Sequence, residues 1–255
     1  MITKIGLRLH SLFYGDIYKW MILILIVTAA VSAWQFNYYE GFLPAIVAVL
    51  VAGLLDTGIK SWKKGYLYVS KSGIISGLFV GLLLTPDILF AALASAIAIL
   101  GKHIIKWKGR HLFNPANFGL LAVGLFGVGT GWWGSYALIP VLVFGLFVLY
   151  RVERFTMAVS FLLVYALLTV LLAGNASAFV ALIANSTILF FAFFMLTEHK
   201  TSPFTRKGQV VYGVFVGLLS AILIYASGFT TISYVSAFYI NIALFFGNIL
   251  AVKVK

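Results

Sequence analysis

The chain has 255 residues, of which 63% are hydrophobic and 9% charged, and it contains no cysteine. A water-soluble fold is about one quarter charged and could not hide this much apolar surface, so the solvent is lipid; disulfides, thiolate metal sites and cysteine-ligated iron–sulfur clusters are excluded. The net charge is +12, from 18 Lys and Arg against six Asp and Glu, and the placement of those charges points to membrane orientation rather than to nucleic acid.

In chain order, Lys4, Arg8, His10 and Asp16 precede an apolar run that starts at Trp20. No small-residue cleavage pattern follows that run, so it reads as a first span rather than a signal peptide. Residues 20–59 form a hairpin turning near Asn37–Gly41, with Glu40 at its tip, and residues 72–101 form a second, turning at Thr85-Pro86-Asp87. Three runs without Asp, Glu, Lys or Arg follow, at 111–150, 155–197 and 208–252. Each is about twice the roughly 20 residues that one span needs, so each is a hairpin. The turns fall near Gly127–Gly134, Ala173–Ser177 and Ser227–Thr230, where Gly, Ser and Asn collect. Five hairpins make ten limbs.

All 18 basic residues fall at one end of these limbs. The positive-inside rule makes that end cytoplasmic and puts both termini there. Aromatic residues gather at both limb ends, with Trp34, Tyr38, Tyr39, Trp132, Trp133 and Tyr136 opposite Trp62, Tyr66, Tyr68 and Trp107, as interfacial belts do. Ten limbs divide into two sets of five, and an odd set reverses direction in its copy. The expected fold is therefore a single all-α integral membrane domain over residues 1–255, with about ten transmembrane helices. Two inverted five-helix repeats would cover approximately 20–131 and 132–252.

Some of the helices are expected to be broken or short. The 72–101 hairpin allows about 15 residues per limb, roughly 22 Å against a hydrocarbon core of about 30 Å, so one limb is broken or unwound where it lines a cavity. Gly73, Gly77 and Gly81 form a four-residue stripe in it. The stripe suits close helix packing or close contact with a planar ligand.

Two loops at the basic end are dense in polar residues. In 111–117, Asn114 is a good N-cap and Pro115 a good first helical residue, so backbone N–H groups face whatever lies in front of them. The second runs 197–208 and holds Glu198, the sole acidic residue after Glu153. Asp56 reads as an interfacial partner of Lys60 at i+4, with an intramembrane ion or proton role as the alternative. Glu40 and Asp87 read as exposed loop carboxylates, and His103 and His111 as loop or headgroup residues. No metal-ligand spacing and no Ser/His/Asp arrangement is present.

The residues Ser76-Gly77-Leu78-Phe79-Val80-Gly81, then Gly101-Lys102-His103, then Phe113-Asn114-Pro115-Ala116-Asn117-Phe118-Gly119, resemble the RnfD membrane subunit of Rnf-type electron transport complexes. They equally resemble the NqrB subunit of the sodium-pumping NADH:quinone oxidoreductase. Phe194-Met195-Leu196-Thr197-Glu198, Lys200-Thr201-Ser202-Pro203, Lys207-Gly208 and Tyr212-Gly213 follow in the order of that family's second signature, and 241–252 looks like its last helix. The resemblance spans most of 66–252. It implies a ten-helix inverted repeat that holds a flavin, riboflavin or FMN, non-covalently between its halves and relays electrons. The residues it implies at the cofactor are Asn114 and Glu198; Lys102 or His103 would stabilise a reduced, anionic flavin, and Thr201 and Ser202 are further candidate cofactor residues in the second signature loop. The family usually has Asp-Pro where this chain has Glu198-His199. The family's second, covalent flavin sits on the Thr of a Ser-Gly-Ala-Thr motif; this chain lacks the motif and has only Thr130 in a short connection.

The resulting expectation is an electron-relaying membrane subunit, partnered by other membrane or extracytoplasmic redox subunits in the cell membrane, with no nucleic acid. A small-solute transporter or channel on the same fold is the alternative, and a scaffold subunit with neither cofactor nor substrate a third.

Overall fold

Among the described residues, ten helical limbs appear where the charge spacing predicts them. The computed structural model describes residues 16–174, 185–229 and 237–254. The first five helices are α1 (Ile17–Phe36), α2 (Phe42–Lys64), α3 (Lys71–Leu83), α4 (Ile88–Ile104) and α5 (Pro115–Gly124). Then come α6 (Leu138–Val152), α7 (Phe155–Ala173), α8 (Ser186–Phe190, continued by a π-turn over Phe191–Met195), α9 (Arg206–Ala226) and α10 (Ala237–Val254). A small hairpin, β1 (Lys106–Trp107) and β2 (Arg110–His111), joins α4 to α5. Among the described residues five helices, α1, α2, α7, α9 and α10, are long and apolar enough to cross a membrane, and the other five are shorter apolar helices. The chain is a multi-pass membrane protein. The turns predicted at Asn37–Gly41, Thr85–Asp87 and Gly127–Gly134 lie between helices as expected. Those at Ala173–Ser177 and Ser227–Thr230 run partly outside the described residues, as do Lys4, Arg8, His10 and Lys255.

Side-chain caps start four of the five shorter helices. Ser70 accepts from Gly73 N, Asp87 from Phe90 N, Asn114 from Asn117 N and Asn185 from Thr187 N and Ile188 N. The glycine stripe on α3 faces α2. A methyl group added at Gly73, Gly77 or Gly81 would come within 2.4–2.9 Å of Ala52, Ala48 or Ala45 backbone atoms. These glycines therefore serve close helix packing, and α2 occupies the space a planar ligand would need.

The thirteen-residue α3 is short rather than broken. Two of its C-terminal carbonyls find donors in the connection after α5. Trp133 Nε1 donates to Gly81 O at 2.9 Å, and Trp132 N donates to Leu83 O at 3.1 Å. Thr85 N donates to Gly129 O at 3.2 Å. Ser32 of α1 ties the same connection down, donating to Gly134 O and accepting from Ala137 N. Non-helical backbone at membrane depth is tolerated where protein covers it, and this segment is covered: Trp132 and Trp133 are 2% and 0% exposed. That corrects their expected place in an interfacial belt. They plug the space left behind two short helices.

The basic loops do share one end of the molecule. Lys71 pairs with Asp16, Lys60 donates to Ser70, and Lys102 donates to Asp56. His111 meets Glu198, Gln209 donates to Glu153 O, and Gly208 packs on the Val254 carbonyl. The two sets of five helices share part of their packing order, although α2 lies closely on α3 whereas α7 only touches the π-turn after α8. In each, the second helix lies on the fourth, the fourth on the fifth, and the first on the third.

A candidate binding cleft at the basic end

The cleft is built by the two short third helices, α3 and α8, with α1, α4, α5 and α6 around them. Its cavity volume is about 90 Å³. Its inner walls are apolar: Met21, Ile75, Phe79, Val148 and Phe194. Its polar edge carries Ser72, Lys102, His111, Asn114 and Glu198. The π-turn at the end of α8 is closed by Leu196 N donating to Phe191 O at 2.9 Å, and it sets Phe194 and Glu198 toward the cleft. Single π-turns of this kind recur at functional sites.

Behind the edge lies an ionic hub on Asp56, which is 0% exposed. Its Oδ2 accepts from Lys60 Nζ and from Lys102 Nζ, each at 2.8 Å, and from Ser70 Oγ. His103 Nε2 meets Oδ1 at 2.6 Å. Ser72 Oγ accepts from both lysines, at 2.8 and 3.0 Å. The predicted Lys60 partner is present, but Asp56 is deeper and more heavily bonded than an interfacial pair. Two lysines on one buried carboxylate leave a surplus positive charge at the cleft wall. Lys102 carries it to the cavity, and its side chain is only 6% exposed.

Glu198 is held on both oxygens. His111 Nε2 meets Oε1 at 2.9 Å, and Thr201 Oγ1 donates to Oε2 at 3.0 Å. Ser202 Oγ donates to the Glu198 carbonyl at 2.7 Å. Burial opposes ionisation of Glu198, but His111 and Thr201 outweigh it and hold the carboxyl below the usual carboxylate range. Burial pushes the neighbouring His199 imidazole down, against the pull of Glu198.

Asn114 joins the first half to the second. Its Oδ1 accepts from Asn117 N at 3.1 Å, and its Nδ2 donates to Met195 O at 3.3 Å. Its backbone N donates to Asn248 Oδ1 at 2.9 Å, and Asn248 in turn donates to Tyr212. One N–H and one lone pair of the amide remain for the cleft.

Of the residues expected from sequence, Lys102, Asn114 and Glu198 converge on this cleft. His103 stands behind it on Asp56, and Thr201 and Ser202 stand behind Glu198 as its supports. Neither His103 nor His111 is a loose loop residue. Sequence reasoning missed Asp56 as a hub and His111 as the partner of Glu198; the scarcity of acids, six in the chain, was the available signal. Thr130 is buried, at 1% exposure. Among the described residues no group of His, Asp and Glu could hold a metal ion. The cleft thus combines apolar walls with two lysines, Lys102 and Lys200, and one carboxylate, Glu198, at its edge.

Residues 121–244 match the model of the NQR2, RnfD, RnfE family. The chain is also similar to the D subunit of the ion-translocating oxidoreductase complex of Methanosarcina acetivorans, at 27% identity over 223 residues and 75% of each chain. Both comparisons liken the chain to the RnfD/NqrB family. A second relative, the D subunit of the Na(+)-translocating ferredoxin:NAD(+) oxidoreductase complex of Acetobacterium woodii, is 29% identical over 104 residues, 40% of this chain and 31% of that protein. The stretch matched by the family model contains Glu198, Thr201 and Ser202. Lys102, His103 and Asn114 lie before it, in the first half of the chain.

Proposed function

We propose that this protein is the membrane subunit of an electron-transport system and holds a flavin non-covalently in the cleft, between two inverted five-helix repeats. Residues from both halves, Lys102 and Asn114 from the first and Glu198 from the second, converge on one apolar cleft, and that observation carries the reading. The part of the packing order that the two sets of five helices share supports the repeat. The two relatives are by name the D subunits of ion-translocating and ferredoxin:NAD(+) oxidoreductase complexes. By that likeness the partners here are other membrane or extracytoplasmic redox subunits. With the basic end cytoplasmic, the termini and the cleft lie on the cytoplasmic side of the cell membrane.

A bound flavin would supply one- and two-electron transfer; the protein supplies position and electrostatics. Phe79, Phe194 and Ile75 would exclude water from the ring faces. Lys102 would favour negative charge that builds on the ring, because the Asp56 hub already holds one positive charge in surplus. Glu198 would accept from a ring N–H while His111 and Thr201 keep it ionised and fixed.

Quenching of flavin fluorescence on titration with detergent-purified protein tests this. Wild type should bind with saturation, and Ile75→Trp, which puts a large side chain into the cleft, should lose most of the binding. Equal binding by Ile75→Trp would move the site elsewhere, and no binding by wild type would end the proposal.

A further inference from the structure

The turn between α6 and α7 holds a buried arginine. Arg154 is 5% exposed. Its Nη1 donates to the Glu153 carbonyl at 3.4 Å, and its guanidinium carbon lies 4.9 Å from the centre of the Phe204 ring. Its Nε is buried without an acceptor. Among the described residues the guanidinium pairs with no carboxylate, and the edge formed by Nε and Nη2 meets no acceptor. That edge presents two parallel N–H groups, the fork that holds a phosphate or carboxylate group through two bonds. A buried cation without a counter-ion is costly, so an arginine in this state points to a ligand.

Arg154 also immediately precedes the first turn of α7, and no side chain caps that helix. The first backbone N–H groups of α7 and the positive end of its dipole therefore face the same space as the arginine. That space is a cavity of about 590 Å³ whose lining includes Phe155 and Thr156 of the helix start. Arg151, Arg154 and Arg206 face a single carboxylate on the lining, Glu153, so the cavity is positive. Gln209 ties the turn to α9, donating to the carbonyls of Glu153 and Phe204 at 3.3 and 3.2 Å. The cavity shares no residue with the cleft built on α3 and α8.

The surroundings of the cavity decide which anion fits. Phe155, Val159, Leu163 and Leu167 recur at four-residue spacing on α7 and are 42–64% exposed. Leu146 and Tyr150 of α6 are 48% and 61% exposed. On membrane helices such stripes face acyl chains. Tyr150 and Phe155 stand at the basic end of the two stripes and line the cavity as well, so the positive seat and the apolar track are continuous. We infer that the cavity seats the phosphate of an anionic phospholipid of the cytoplasmic leaflet, with the acyl chains lying along α6 and α7. The seat is independent of any flavin in the cleft.

Thermal unfolding of detergent-purified protein against added dioleoyl phosphatidylglycerol tests this, with dioleoyl phosphatidylcholine and inorganic phosphate as comparisons. Wild type should show a saturable rise in Tm with phosphatidylglycerol and little change with the other two. Arg154→Gln should raise the half-saturating lipid concentration about tenfold or more, and Arg206→Gln about threefold. Arg206 is exposed, so its variant carries the test should Arg154→Gln fail to fold. Lys63→Gln removes an exposed charge at the same end but outside the cavity, and should respond as wild type does. An equal response to phosphatidylcholine, or arginine variants that respond as wild type does, would overturn the seat. A loss in Lys63→Gln as large as in the arginine variants would reduce the effect to general surface attraction and overturn it too. An equal rise with inorganic phosphate would give the seat to a free anion and overturn the lipid assignment.

Discussion

Asp56 shows how much a single buried charge can organise. Removing one member of a buried ion cluster is costly when it strands the others. Asp56→Asn strands Lys60, Lys102 and His103 and should cost about 3–5 kcal/mol of stability. Lys102→Met leaves Asp56 bonded to Lys60, Ser70 and Ser72 and should cost clearly less. Thermal unfolding in detergent gives both values, and the reverse order would contradict the hub. Glu198 makes a pH prediction. Its folded carboxyl titrates below the usual value of 4.5, so its bonds to His111 and Thr201 contribute stability above that pH. The contribution is lost as pH falls through the folded pKa, and Glu198→Gln should flatten the acid limb of the stability curve. At this scale the sequence was only partly legible. Asn114 and Glu198 could be singled out by their motifs, and Lys60 could be paired with Asp56 from i+4 spacing. The contacts of Asp56 with Lys102, and of His111 with Glu198, join residues 46 and 87 positions apart, which no local pattern encodes.

Among the elements, the shortness of α3 was legible from a count of residues between charges, but its consequence was not. Its carbonyls need donors, and they find them in Trp132 and Trp133, which a surface reading assigns to lipid headgroups. Trp133→Phe keeps an aromatic side chain but removes both the donor to Gly81 O and part of the buried ring volume, so it should cost about 1–3 kcal/mol. The glycines separate in the same way. Gly77→Ala drives a methyl group to 2.6 Å from the Ala48 carbonyl oxygen and the Val49 Cα, and should destabilise by about 1–3 kcal/mol. Gly58, within α2, has nothing within 4 Å of the same added atom, and Gly58→Ala should stabilise by about 0.5–1 kcal/mol. A common effect of the two substitutions would show that α3 does not press against α2 as described. Four-residue spacing marks the α3 stripe in the sequence, but only the packing tells which glycine touches a backbone.

For the whole molecule, charge placement was the most legible feature, because orientation in a membrane depends on loop charge rather than on tertiary detail. The chain has no cysteine, so single introduced cysteines report sidedness without background. Lys64→Cys, Lys108→Cys and Lys253→Cys should react with an impermeant thiol reagent only from the cytoplasmic face, and Glu40→Cys and Asp87→Cys only from the opposite face. The cleft lies at the end where the basic loops meet, so its occupant should be reached from the cytoplasm as well. What charge spacing could not give is the convergence of α3, α4, α5 and α8 on one cleft, since that depends on how the two halves dock through Asn114, Asn248 and Tyr212. The measurement that bears most directly on the account is the absorption spectrum of detergent-purified protein from flavin-supplemented cells, taken before and after acid precipitation. The account predicts a flavin spectrum that acid releases entirely into the supernatant; a colourless protein, or a chromophore that stays in the pellet, would contradict it.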